Sequence, residues 1–210
     1  MASCHAGAGI RAVTSLALLA ACAGGSMDHG HGASTPQVDA GSFRPASVAL
    51  PKATDQNPDP QIVEVSLEAK PATASYLPGR STAVWSYNGS VPGPLIEAKV
   101  GDRLIVHFKN SLPEATTIHW HGLRVPAAMD GGGMMNDGIA PGASFTYDFT
   151  LPDAGLFWYH PHLNTDVQLE KGLYGAIVVR GSDTVAAPER ILLLDDVLLD
   201  ARSEEHTSEL

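Results

Sequence analysis

Cysteine is nearly absent from this chain: its 210 residues contain only Cys4 and Cys22, both close to the N-terminus. The rest of the chain has no thiol for a disulfide or a zinc–thiolate site. It also lacks the thiolate that a blue-copper centre sets beside two histidines. Cationic side chains are scarce, 13 Lys and Arg against 23 Asp and Glu, giving a formal net charge of −10. With no basic stripe, nucleic acid is excluded as a partner. No window carries a convincing amphipathic helical period, and the apolar stretch at 12–21 (AVTSLALLAA) is too short to span a bilayer. Glycine (21) and proline (15) are plentiful, which favours a loop-rich β protein over a helical one.

The two ends stand apart from the middle. Residues 1–21 read as an export signal: Arg11 supplies the positive charge and 12–21 the apolar region. The run Leu19-Ala20-Ala21-Cys22 resembles a bacterial lipoprotein box, in which Cys22 would be lipidated and anchor the mature protein to a membrane. Cleavage after Ala21-Cys22-Ala23 is the rival reading, and either way the protein is exported to the periplasm or cell surface. Residues 22–60 are rich in Gly, Ser, Ala, Pro and Asp and are expected to be a flexible tether. Met27-Asp28-His29-Gly30-His31 inside it is read as polar filler rather than a metal site. The tail at 202–210 (RSEEHTSEL) back-translates to a common short-read sequencing adapter, so it is expected to be non-native and the chain a fragment.

Between these ends, short strand-like runs alternate with turn signals. They fall at 62–69, 82–87, 94–100, 103–109, 117–121, 144–151, 155–160 and 173–180. Gly101-Asp102 reads as a hairpin-type turn. In 144–151 (SFTYDFTL), Phe145, Tyr147, Phe149 and Leu151 alternate with polar groups, as on a half-buried strand. The run LYGAIVV at 173–179 is almost continuously apolar and is expected in the centre of a sheet. Eight strands in about 120 residues predict an all-β Greek-key sandwich over 61–182. A further apolar run at 189–200, after a linker from 183, is read as the first strand of a second, truncated domain.

The chemistry is concentrated in two histidine doublets, His119-Trp120-His121 and His160-Pro161-His162, four of only nine histidines. Side chains alternate along a strand, so each His-x-His pair puts both imidazoles on one face, roughly 6.5 Å apart along the chain. Two such pairs on neighbouring strands would aim four imidazoles at one place. Imidazole is a favoured ligand of copper, iron, nickel and zinc. Trp120 and Trp158 are read as core aromatics behind the ligands, and His107 as facing solvent or a loop. Met129, Met134 and Met135, with Gly131, Gly132 and Gly133 among them, read as a surface loop.

Asn88-Gly89 and Pro92-Gly93-Pro94, then HWHG at 119–122, Pro141-Gly142 and WYHPH at 158–162, occur in order and together resemble the first cupredoxin (plastocyanin-like) domain of a multicopper oxidase of the laccase kind. The resemblance covers roughly 62–182 and the entry to the next domain. It implies a trinuclear copper cluster shared with a C-terminal domain, to which this domain contributes half of the eight histidines. By position, His119 resembles the ligand of the type 2 copper. His121 and His160 resemble ligands of one type 3 copper, and His162 of the other. Pro161 stands where a type 1 domain would carry cysteine, so the type 1 copper is expected in the missing C-terminal part. Asp130 resembles an acid near the cluster in related oxidases and is a candidate proton relay or ligand-orienting group. Its alternative role is that of a turn-forming Asp before Gly131.

The implied function is one-electron oxidation of an unidentified reducing substrate coupled to four-electron reduction of O2 to water. With half the cluster ligands, this chain alone is expected to be inactive. A non-catalytic exported copper-binding module and a two-domain copper oxidase or nitrite reductase relative are the alternatives. A cupin is disfavoured, because no Glu follows the first doublet at Leu123 to Pro126.

Overall fold

The computed structural model describes residues 50–132, 138–182, 189–197 and 199. The signal, Cys22, residues 22–49 of the expected tether, Met134, Met135 and the tail lie outside the described residues. Residues 50–60 are instead tied to the domain, with Ala53 N–H donating to the Leu95 carbonyl at 2.8 Å and Gln56 N–H to the Glu64 carbonyl at 2.8 Å.

Eight strands form two four-stranded sheets. They are β1 (Ile62–Ala74), β2 (Thr82–Tyr87), β3 (Ile96–Lys99), β4 (Arg103–Asn110), β5 (His119–His121), β6 (Ser144–Thr150), β7 (Gly155–His160) and β8 (Gly175–Arg180). One sheet has the order β2-β1-β4-β6 and the other β3-β8-β7-β5. The parallel pairs β1·β4 and β3·β8 arise where the chain crosses between sheets. This is the all-β Greek-key sandwich expected from the alternating short runs.

Alternation decides which face enters the core. From β1 come Val63, Val65, Leu67 and Ala69, from β4 Leu104, Val106 and Phe108, and from β6 Tyr147 and Phe149. Ile177, Val179, Tyr159 and Trp120 meet them from the second sheet. The alternation read in the sixth run thus becomes an inward face, with Phe145 only half buried at its start. Strand β8 is buried on both faces, which explains its unbroken apolar sequence: Ala176 and Val178 point outward but lie beneath Ile191 and Leu193.

Three local readings are corrected. The turn at Gly101-Asp102 exists, but β3 and β4 belong to different sheets, so it is a crossover and not a hairpin. Strand β1 runs past Pro71 to Ala74, because its second half pairs only with β2. Trp85, opposite Pro71, sends its N–H to the Lys171 carbonyl at 2.7 Å, so the missing proline donor breaks no ladder bond. Residues 189–197, read as part of a strand, form none. Ile191 and Leu193 still turn inward while Leu192 and Leu194 are exposed, but among the described residues no strand pairs with residues 189–197. The phenol of Tyr174 donates to the Asp195 carboxylate and holds the segment to the sheet. Among the described residues no helix is long and apolar enough to cross a membrane.

Candidate metal centre

Strand β5 lies antiparallel to β7 with His119 opposite His160, Trp120 opposite Tyr159 and His121 opposite Trp158. Alternation therefore puts His119, His121, Trp158 and His160 on one face, and Trp120 and Tyr159 on the core side. His162 lies beyond the end of β7, because Pro161 cannot donate to the ladder. The four imidazoles nevertheless converge. His119 is the hub, with ring centroids 5.6 Å from His121, 5.4 Å from His160 and 4.3 Å from His162. The nitrogens of His119, His121 and His160 include a set lying within 4.8 Å of one another, while His162 falls outside that set.

Hydrogen bonds decide which nitrogen faces the centre. A carbonyl can only accept, so His160 Nδ1–H donates to the Pro161 carbonyl at 2.9 Å and leaves Nε2 with its lone pair. In the same way His119 Nδ1–H donates to the Asp130 carbonyl at 3.0 Å, with a carboxylate oxygen of Asp130 at 3.4 Å. Outer partners of this kind fix the tautomer and ring angle of metal-binding histidines. His121 Nδ1 lies 3.2 Å from His160 Nε2. Imidazole nitrogens sit about 2.0–2.1 Å from a bound metal, so two on one ion at ordinary angles are about 2.9–3.4 Å apart. The observed pair fits one shared ion.

Burial favours the neutral, ligating form of His160 and His162. Burial lowers the pKa of His160 to about 4; the Pro161 carbonyl opposes this, and the neighbouring imidazoles add to it. Burial also lowers His162, with a further contribution from His119 and an opposing one from Asp130. A cluster of imidazole nitrogens with no thiolate suits copper in imidazole coordination.

Several surrounding residues were not legible beforehand. Trp158 is beside the histidines, not behind them: it is half buried and stacks on His160. Trp120 is the core aromatic expected of it. Asp130 is brought to His119 by a 3-10 turn, Ala127–Met129, whose Met129 packs against the core. Gly131, next in sequence, has φ +67°, and a Cβ there would lie 1.9 Å from the Ile118 carbonyl oxygen. A side chain at this position would push the turn off β5. His107 is exposed, as expected, and bonds Glu64 at 2.7 Å. A six-residue helix, α1 (Thr165–Glu170), follows the second doublet; its one buried residue, Gln168, gives no apolar stripe from which to read it.

Comparison with known proteins adds the following. The family model described as "Multicopper oxidase" matches residues 68–184. The multicopper oxidase MmcO of Mycobacterium tuberculosis is 36% identical over 183 residues, covering 85% of this chain and 33% of that protein. Copper resistance protein A of Escherichia coli is 40% identical over 108 residues, covering 51% of this chain and 18% of that protein. Among solved structures, a multicopper oxidase from Campylobacter jejuni described as a metallo-oxidase is 38% identical with a TM-score of 0.61, covering 65% of this chain and 29% of the other. A multi-copper oxidase from Pseudomonas thermotolerans is 41% identical with a TM-score of 0.58, covering 60% and 31%. The chain thus spans about a third or less of these relatives.

Proposed function

The chain belongs to the multicopper oxidase family, a copper-using family, and we propose that within a longer protein it contributes His119, His121, His160 and His162 to a copper cluster that reduces O2 to water. The observation that carries this reading is the 3.2 Å approach of His121 Nδ1 to His160 Nε2 inside the four-ring cluster. It supports one ion shared by His121 and His160. The displacement of His162 from the nitrogen set of His119, His121 and His160 supports a second ion; a third, at His119, rests on its resemblance to the type 2 ligand alone. Bound copper would supply one-electron redox chemistry and an open position for oxygen. The electrons would come from a reducing substrate oxidised elsewhere in a longer protein; this chain has no Cys/His set that would hold a type 1 copper.

The chain's own residues hold donors and handle protons. The Asp130 and Pro161 carbonyls fix His119 and His160 with Nε2 presented to the cluster. Reduction of O2 to two waters consumes four protons. The Asp130 carboxylate, half-exposed and 3.4 Å from His119 Nδ1, is the group through which we route them. We also propose export, with residues 1–21 as the signal and Cys22 as a lipidated membrane anchor. The support is the short apolar run ending in Leu19-Ala20-Ala21-Cys22.

The test is copper titration of the 210-residue chain and of His121→Ala and His160→Ala variants, followed by metal analysis and electron paramagnetic resonance. Weak, partial copper binding is expected, with the ion shared by His121 and His160 lost in either variant and no oxidation of a chromogenic phenol. Copper retained equally by both variants, or robust turnover by the chain alone, would overturn the reading.

A further inference from the structure

His119, His121 and His160 are fixed by the β5·β7 ladder. His162 is not, since β7 ends at His160 and the next residue is a proline. Something else must hold it 4.3 Å from His119. We infer that Gln168, acting with Thr117, is the positioning residue that sets His162 against the rest of the cluster; this inference rests on the copper-cluster reading above.

Two ties connect the segment after the second doublet to the segment before the first. The backbone N–H of His162 donates to Thr117 Oγ1 at 3.0 Å. Six residues further on, Gln168 is wholly buried in α1 and spends its entire side-chain amide on three consecutive residues leading into β5. Its Nε2 donates to Glu114 Oε1 at 2.6 Å and to the Ala115 carbonyl at 3.0 Å, while its Oε1 accepts from Thr116 Oγ1 at 2.7 Å. Both amide hydrogens and the carbonyl are matched. A buried amide is costly unless fully paired, so this arrangement strongly favours a single placement of α1.

That placement bears directly on the metal site. Residues 114–117 lead into His119, and residues 162–168 lead out of His162. The Gln168 amide and the Thr117 hydroxyl therefore close a loop around the cluster, with α1 as its rigid side. Asn164, at φ +42°, makes the reversal from His162 into the helix. Glu114 receives a second, longer bond from Asn164 Nδ2 at 3.4 Å. Loosening this stitch releases His162, while the ladder keeps the other three histidines in place.

The experiment compares the full chain with Gln168→Leu, Thr117→Val and Thr117→Ser variants. Histidine-ring NMR of the metal-free proteins reads the contact between His119 and His162, and copper titration reads the ions. Gln168→Leu and Thr117→Val should weaken the His119–His162 contact while His121 and His160 keep their mutual contact. Affinity for the His162-dependent copper should fall about 10–100-fold, with the copper shared by His121 and His160 retained. Thr117→Ser, which keeps the hydroxyl, should behave as the parent. An unchanged His119–His162 contact in a folded variant would overturn the inference, as would equal loosening of all four rings. Should Gln168→Leu fail to fold, the Val and Ser pair at 117 decides. If the parent binds no copper, the cluster reading fails, while the ring contacts still test the role of Gln168.

Discussion

The indole of Trp158 lies over the imidazole of His160, with centroids 4.0 Å apart and planes 23° from parallel, and its other neighbour is His121 at 4.9 Å. One flat side chain thus braces the two rings whose nitrogens approach to 3.2 Å. Stacking limits rotation of each imidazole and keeps water from one side of both.

Trp158→Ala should therefore weaken copper binding by about 10-fold or more, the usual scale for groups that orient a ligand. Trp158→Phe, which keeps a plate, should recover most of the affinity. A competitive chelator titration checks both, and equal affinities for Ala and parent would show that the stack is idle.

His121 and His160 should act as a unit. If they hold one ion, His121→Ala and His160→Ala each remove most of its affinity, and the double variant loses little more than either alone. A double-mutant cycle in copper affinity measures this. Additive losses would mean separate ions.

The low pKa of His160 has a definite sign for stability. The unfolded ring takes up a proton near 6.5 and the folded one only near 4, because burial penalises the cation. Between these values the unfolded state binds more protons, so the metal-free fold loses stability as pH falls from about 6.5 to about 4. Thermal unfolding of the metal-free parent should show this slope, and His160→Gln should flatten it. In the same window protons should compete only weakly with copper for this nitrogen.

Gly131→Ala should destabilise the domain by on the order of 3 kcal/mol, combining a left-handed backbone with a clash against rigid main chain. The cause is the 1.9 Å approach a Cβ would make to the Ile118 carbonyl oxygen. Chemical denaturation measures the loss. The histidine-ring spectrum should show His119 freed from Asp130, since the turn carrying Asp130 must withdraw.

Much of the sandwich could be read from alternation alone. The second strand occupies residues 82–87 as expected, and the run at 173–179 lies inside its sheet with both faces covered. Pairing was less legible, because partner choice depends on distant residues: the turn at Gly101-Asp102 has the same local chemistry whether it closes a hairpin or a crossover. Helix α1 escaped notice because six residues with a single buried glutamine carry no period. The doublet spacing pointed to convergence of the four imidazoles, since period-two geometry acts on neighbouring strands whatever their surroundings. Trp158 was misjudged as backing for the ligands; its place opposite His121 depends on the β5·β7 register, which no single segment encodes.

Strand β5 is only three residues long, and among the described residues it pairs with β7 alone. Such a stub is too short to recruit a stray chain by edge pairing. The turn at Asp130 and Gly131 lies against the start of this strand, while His121 stands exposed at the sheet margin. An exposed ring at that margin leaves His121 within reach of a donor from outside this domain.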